Sequence, residues 1–252
     1  MGSATDIGRV RALNEDACFV GRGLYAVIDG MGGHAAGDVA SQLAAQTLAR
    51  ADAPVVPENQ VRSALAMANQ HIVQHGLAHP ESRGLGCTIA GIARGEHAWW
   101  CFHVGDSRVY RWRSGLLTQV TRDHSEVQEL IDAGLLTPDQ ARSHPARNVV
   151  TRALGEDPAA EVELQSLALE PGDCLVLATD GLTGEVDDAG IASILGGGGH
   201  PQEVASALVR AAVDAGGRDN VSVVVITVDS VLPSPPESTT VPRGLIEREA
   251  AS

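Results

Sequence analysis

Aromatic side chains are scarce in this chain: Phe, Trp and Tyr together make up 3% of its 252 residues. Hydrophobic residues still reach 44%, so the core has to be built from Val, Leu, Ile and Ala. Basic residues are few as well, 18 Lys and Arg against 32 Asp and Glu, for a net charge of −14. No basic stripe is available to neutralise phosphates, which argues against nucleic acid as a partner and equally against an anionic membrane surface. Cys18, Cys87, Cys101 and Cys174 stand far apart with no Cys-x-x-Cys pair, so neither a zinc site nor a redox motif is indicated. Buried, reduced thiols in a cytosolic protein are the remaining reading. No apolar stretch reaches the roughly 18 residues of a membrane span, and no signal-peptide pattern appears. A soluble cytoplasmic chain is expected, long enough for one large domain or two small ones.

Short runs of β-branched and aromatic residues bounded by glycine read as buried strands. They fall at 17–20, 24–28, 87–93, 97–104, 108–113, 116–120, 162–167, 174–179 and 220–228. The four between 87 and 120 follow without an intervening helix, a spacing that predicts an antiparallel meander. Helical periodicity covers 37–51, with Val39, Leu43 and Leu48 on one face, and 58–75, opened near Pro57. Two more helices are predicted at 187–195 and 201–215, divided by the glycines at 196–199. Segment 121–155 breaks the pattern with a short amphipathic helix (Val127, Leu130, Ile131), a stop at Gly134, and Pro138 and Pro145. Such an insertion belongs on the surface and often carries specificity. Residues 231–252 turn Pro-rich and polar, and read as a disordered tail or a linker after a domain at 1–230. The fold class that results is α+β: two packed antiparallel β-sheets flanked by helical layers, an α-β-β-α sandwich. An open parallel α/β sheet competes, but the helix-free stretch from 87 to 120 disfavours it.

Four aspartates each stand at one end of a strand-like run. Asp29 closes the run from Leu24, Asp106 follows Val104-Gly105, Asp180 closes the run from Cys174, and Asp219 opens the run from Asn220. If the fourth run lies antiparallel to the others, all four carboxylates meet at one edge of the β-structure. Singly, each is more commonly a cap on a strand-end turn. Jointly, they repel one another and lose hydration, so something cationic must compensate. Oxygen ligands without His or Cys suit a hard divalent ion, magnesium or manganese. In the loop Asp29-Gly30-Met31-Gly32-Gly33-His34, glycine lets the backbone fold tightly enough for the Gly30 carbonyl to reach the ion at Asp29. A purely structural turn is the alternative there. His34, beside a metal cluster, becomes a candidate proton donor. Arg11 with Glu15 and Asp16 could by itself be a solvated turn.

Taken in order, Arg11…Glu15-Asp16, Asp29-Gly30-Met31-Gly32-Gly33-His34, Gly105-Asp106-Ser107-Arg108, Asp180-Gly181 and Gly217-Arg218-Asp219-Asn220 form a series. It resembles the metal-dependent Ser/Thr protein phosphatases of the PPM, or type 2C, family. The Gly-Met-Gly-Gly-His loop and the stretch Asn148-Val149-Val150-Thr151-Arg152-Ala153-Leu154-Gly155 point to the bacterial branch. The resemblance runs over residues 4–229. It implies a centre of two Mn2+ or Mg2+ ions in which Asp29 bridges both and the Gly30 carbonyl joins one. Asp180 and Asp219 complete the other, while Glu15 and Asp16 order metal-bound waters or ligate directly. Asp106 matches the residue that, with Asp180, holds a third, weaker ion. Arg11 matches the arginine that grips substrate phosphate, and His34 falls where the family has a histidine near the leaving group. Segment 121–155 resembles the family's mobile flap.

The implied reaction is hydrolysis of phosphoserine and phosphothreonine by direct attack of a water or hydroxide bridging the ions. A pair of ions suits that reaction without a Cys or Ser nucleophile, and the arginine fork suits two phosphate oxygens. Expected partners are phosphorylated proteins, Ser/Thr kinases and their substrates among them, met by a monomer. A non-catalytic module that only holds phosphorylated partners is disfavoured, because Arg11 and all four strand-end acids are present. A two-metal nuclease is disfavoured by the charge of −14.

Overall fold

The computed structural model describes residues 1–32, 36–156 and 158–229. In chain order its first half holds β1 (Gly2–Asp6), β2 (Asp16–Val20), β3 (Leu24–Met31), α1 (Ala36–Ala51), α2 (Glu58–Ala78), β4 (Gly86–Arg94) and β5 (Trp99–Val104). Next come β6 (Arg108–Arg113), β7 (Leu116–Gln119), α3 (Glu126–Asp132), α4 (Pro138–Arg142), β8 (Glu163–Leu167) and β9 (Cys174–Ala178). The chain continues with α5 (Asp180–Thr183), α6 (Asp188–Gly196), α7 (Pro201–Ala215) and β10 (Val221–Thr227).

The strands form two five-stranded sheets, β1-β10-β9-β6-β7 and β2-β3-β4-β5-β8. Every neighbouring pair is antiparallel. Side-chain alternation explains why the central strands are apolar on both faces. In β3, Leu24, Ala26 and Ile28 face α1 and α2, while Tyr25 and Val27 join the layer between the sheets. In β10, Val221, Val223 and Val225 meet α6 and α7, while Val224 and Ile226 turn inward to that same middle layer. Each such side chain taken from water contributes about 1.5–3 kcal/mol, so three stacked apolar layers hold the sandwich together. The α-β-β-α architecture expected from the apolar runs is the one observed. On α1 the deepest residues are Ala40, Ala44 and Leu48, with Val39 and Leu43 only flanking them. Small side chains there let the helix lie close on β3.

Two elements depart from the sequence reading. The strands between 87 and 120 are not one meander. β4 and β5 pair in one sheet and β6 and β7 in the other. The chain crosses over at 105–107, where Gly105 takes φ = 106° and a Cβ would stand 2.4 Å from that of Thr88. Only glycine makes that turn. The strand β1, Gly-Ser-Ala-Thr-Asp, has no apolar alternation by which its sequence would announce it. It is held as an edge strand by pairing with β10. The Pro-rich stretch 231–252 lies outside the described residues.

Candidate metal centre

Strand direction brings the acids together. Because β3, β4 and β5 alternate in direction, Asp29 near the end of β3 and Asp106 after β5 lie at the same edge. In the other sheet β9 and β10 are antiparallel, so Asp180 after one and Asp219 before the other lie at one edge as well. Asp16 stands directly opposite Asp29 across the β2–β3 ladder. Both sheets thus present carboxylates at the same end of the sandwich.

Backbone approach fixes the loop between β3 and α1. A Cβ on Gly30 would lie 2.0 Å from the Gly37 carbonyl oxygen, and one on Gly37 would lie 2.6 Å from the Gly30 carbonyl. The Gly30 N–H donates to the Glu15 carbonyl at 3.2 Å. The Glu15 carboxylate accepts from the Gly37 N–H at 3.1 Å, at the positive N-terminal end of α1. Asn220 ties the Arg11 segment down: its Oδ1 accepts from the Glu15 N–H at 2.8 Å, and its Nδ2 donates to the Ile7 and Leu13 carbonyls. Arg11, half exposed, donates one bond to Asp219 Oδ2 at 2.7 Å.

The acids are poorly compensated by protein alone. Burial, followed by neighbouring carboxylates, pushes Asp29 and Asp106 well above the usual carboxylate range and raises Asp180 too. Burial raises Asp16 to about 7, although the Thr179 hydroxyl donates to its Oδ2 at 2.9 Å. Its other oxygen, Oδ1, is buried without any hydrogen-bond partner. Carboxylates of this kind ionise together at neutral pH only with positive charge among them, and an orphaned inward oxygen is a donor for it. An all-oxygen set fits Mn2+ or Mg2+. Among the described residues, no three of these acids bring oxygens within 4.8 Å of one another.

His103, His124 and Glu163 do converge within that distance. A metal has to lie near the plane of each ligating ring, yet the two imidazoles are stacked at 4.6 Å and 17°. His103 Nε2 already donates to the Arg122 carbonyl at 2.8 Å, and His124 Nδ1 accepts from the Gly105 N–H at 3.1 Å. This group is a hydrogen-bond network rather than a metal site.

A groove of about 710 Å³ opens from Asp106 and Asp180, passes Arg108 and reaches Arg142 and Arg147 on the 121–155 segment. Of the residues singled out from sequence, Arg11, Glu15, Asp16, Asp29, Gly30, Asp106, Asp180 and Asp219 gather at this end of the sandwich, and Asp106 and Asp180 alone among them line the groove. His34 lies outside the described residues. The sequence reading gives no role at the site to Thr179, Gly37 or Asn220, although Thr179 adjoins Asp180 and Asn220 stands inside the motif of Asp219.

A two-sheet sandwich with strand-end carboxylates gathered at one edge is the framework of a divalent-metal enzyme. The family model for Protein phosphatase 2C matches residues 8–196. The chain is 40% identical over 230 residues to the serine/threonine protein phosphatase PstP of Mycobacterium tuberculosis, covering 89% of this chain and 44% of that protein. It therefore spans less than half the length of that relative. It is 35% identical over 237 residues to the protein phosphatase PhpP of Streptococcus pneumoniae, covering 89% of this chain and 96% of that one. The crystal structure of the M. tuberculosis phosphatase superposes with a TM-score of 0.85 at 38% identity, over 90% of this chain and 97% of that one. A PstP catalytic domain in complex with two manganese ions gives 0.80 at 36%, over 89% and 95%. The chain belongs to the protein phosphatase 2C family.

Proposed function

We propose that this chain is a metal-dependent protein serine/threonine phosphatase acting on phosphorylated proteins. The observation that carries the reading is the meeting of carboxylates from both sheets beside Arg11 at one end of the sandwich. Asp29, the Gly30 carbonyl, Asp180 and Asp219 would hold a core pair of Mn2+ or Mg2+ ions. Asp16 and Glu15 would serve their water shell or ligate them, and Asp106 with Asp180 would hold a third. Bound ions supply a water of lowered pKa and neutralise charge on the phosphoryl oxygens. Arg11 has one of its donors on Asp219 and the rest of its fork available for two phosphate oxygens. Thr179 holds Asp16 in place, and Arg108, partly buried near Asp106 and Asp180, adds a fixed positive charge at the mouth of the groove. The groove beyond accommodates the protein chain on either side of the phosphoresidue.

Residues 1–230 form the catalytic unit and 121–155 its flap. No helix among the described residues is long and apolar enough to cross a membrane. Ser/Thr kinases and their targets are the substrates that suit a monomer of this class in the cytoplasm.

The test is phosphate release from phosphothreonine and phosphotyrosine peptides during a manganese titration. Manganese-dependent turnover of the phosphothreonine peptide is expected, with loss on chelation. Turnover that survives thorough chelation overturns the reading. Asp180→Asn should lower kcat by at least about a hundredfold while the circular dichroism spectrum is unchanged, since it removes a ligand charge and no core volume.

A further inference from the structure

His124 stands between the turn that carries Asp106 and the stretch at Val150 and Thr151 by which the 121–155 segment returns to the core. Its N–H donates to the Gly105 carbonyl at 2.9 Å, and the Gly105 N–H donates back to its ring Nδ1 at 3.1 Å. Its own carbonyl accepts from the Thr151 N–H at 2.9 Å, and the next residue, Ser125, bridges to Val150. Because Nδ1 accepts, the neutral ring carries its proton on Nε2, which donates to Glu163 Oε1 at 3.0 Å. The ring is buried and stacked on His103, whose Nε2 is in turn fixed by the Arg122 carbonyl. On the other side of the turn Gly105 abuts Thr88, whose hydroxyl bonds that of Ser107 at 2.7 Å. Gly105 is thereby clamped from both sides, one residue before Asp106.

We propose that His124 is a positioning residue: by accepting the Gly105 amide it fixes the backbone from which Asp106 reaches the metal centre, and through its own peptide it locks that turn to the flap's returning stretch at Val150 and Thr151. The inference rests on Asp106 being a cation ligand, as proposed above. A partner that orients a ligand in this way changes affinity at that one ion while leaving the others alone, typically by about 10- to 100-fold.

Two isosteres separate the ring's roles. His124→Asn sets an amide oxygen where Nδ1 stands, and His124→Gln sets its amide where Nε2 stands. In the metal-free protein, Asn should keep the Gly105 amide protected from hydrogen exchange, and Gln should expose it. In a calorimetric Mn2+ titration, Gln should weaken the weakest class of ions about tenfold or more and leave the tight pair unchanged, with Asn close to wild type. Equal behaviour of the two variants, or a wild-type titration for Gln, overturns the proposal. Should Gln fail to fold, the 15N shift of Nδ1 in the wild-type protein decides. An unprotonated acceptor supports the assignment and a protonated nitrogen refutes it. Asp106→Asn is the control: if the weak ions persist in that variant, the ligand assignment fails, while the Gly105 exchange data still judge the role of His124.

Discussion

Arg11 illustrates how far a single side chain could be read. Beside Glu15 and Asp16 it could by itself be a solvated turn, and only the family resemblance matched its planar fork to phosphate. Its contact with Asp219, 208 residues away, was not legible in the sequence. The same division holds for the acids: an Asp at the end of an apolar run is visible locally, whereas Thr179 under Asp16 and Asn220 under Glu15 act between distant segments. Arg11→Ala should raise KM roughly 30-fold, equivalent to about 2 kcal/mol of charge-assisted hydrogen bonding, with a smaller change in kcat. An unaltered KM in peptide kinetics would remove Arg11 from phosphate binding. Gly37 is the subtler case, since a glycine opening a helix gives no hint that another backbone rests against it. Gly37→Ala places a methyl 2.6 Å from the Gly30 carbonyl. It should cost roughly 1–3 kcal/mol in denaturant unfolding and weaken Mn2+ binding, because overpacking there moves the Gly30 carbonyl. Stability and metal affinity both at wild-type level would show that the approach carries no strain.

Among the elements, most strands and the four long helices could be read because their apolar periodicity is local. Exceptions arise where pairing rather than pattern makes the element. The edge strand β1 is polar, and the change of sheet between β5 and β6 depends on a single glycine conformation. Past that crossing, β6 is fastened to the start of the flap by Arg108, which donates to both Asp123 oxygens at 2.7–3.0 Å and to the Tyr110 hydroxyl. Asp123→Ala would leave a largely buried guanidinium with one neutral partner. A loss of about 3 kcal/mol is expected, read from guanidinium unfolding curves. A loss under about 1 kcal/mol would mean that water already screens the pair.

For the molecule as a whole, the gathered acids make stability a function of both pH and metal. Asp16, Asp29, Asp106 and Asp180 are raised in the folded state, so without metal the folded protein binds more protons than the unfolded chain. Their contribution is greatest below the ordinary carboxylate range near 4 and is lost as pH rises through the folded values, about 7 for Asp16. Asp52, Glu163, Asp173 and Glu185 are lowered and oppose this only in stronger acid, while the buried His103, also lowered, opposes it as pH falls below its ordinary range, one group against four. The Tm of the chelated protein should therefore rise on going from pH 7.5 to 5.5, and the gain from added Mn2+ should be larger at pH 7.5 than at 5.5. Differential scanning calorimetry checks both signs. A Mn2+ increment that grows toward acid would contradict the carboxylate cluster as the binding site.

Because Asp29 belongs to a strand of one sheet while Asp180 and Asp219 flank strands of the other, cations bound at their meeting point would act as a rivet between two slabs. Reciprocity then runs both ways: whatever shears the slabs must loosen the rivet by the same free energy. A cavity cut in the seam between them, at Leu177 or Val224, should surface as a weaker grip on manganese before it surfaces as lost chemistry.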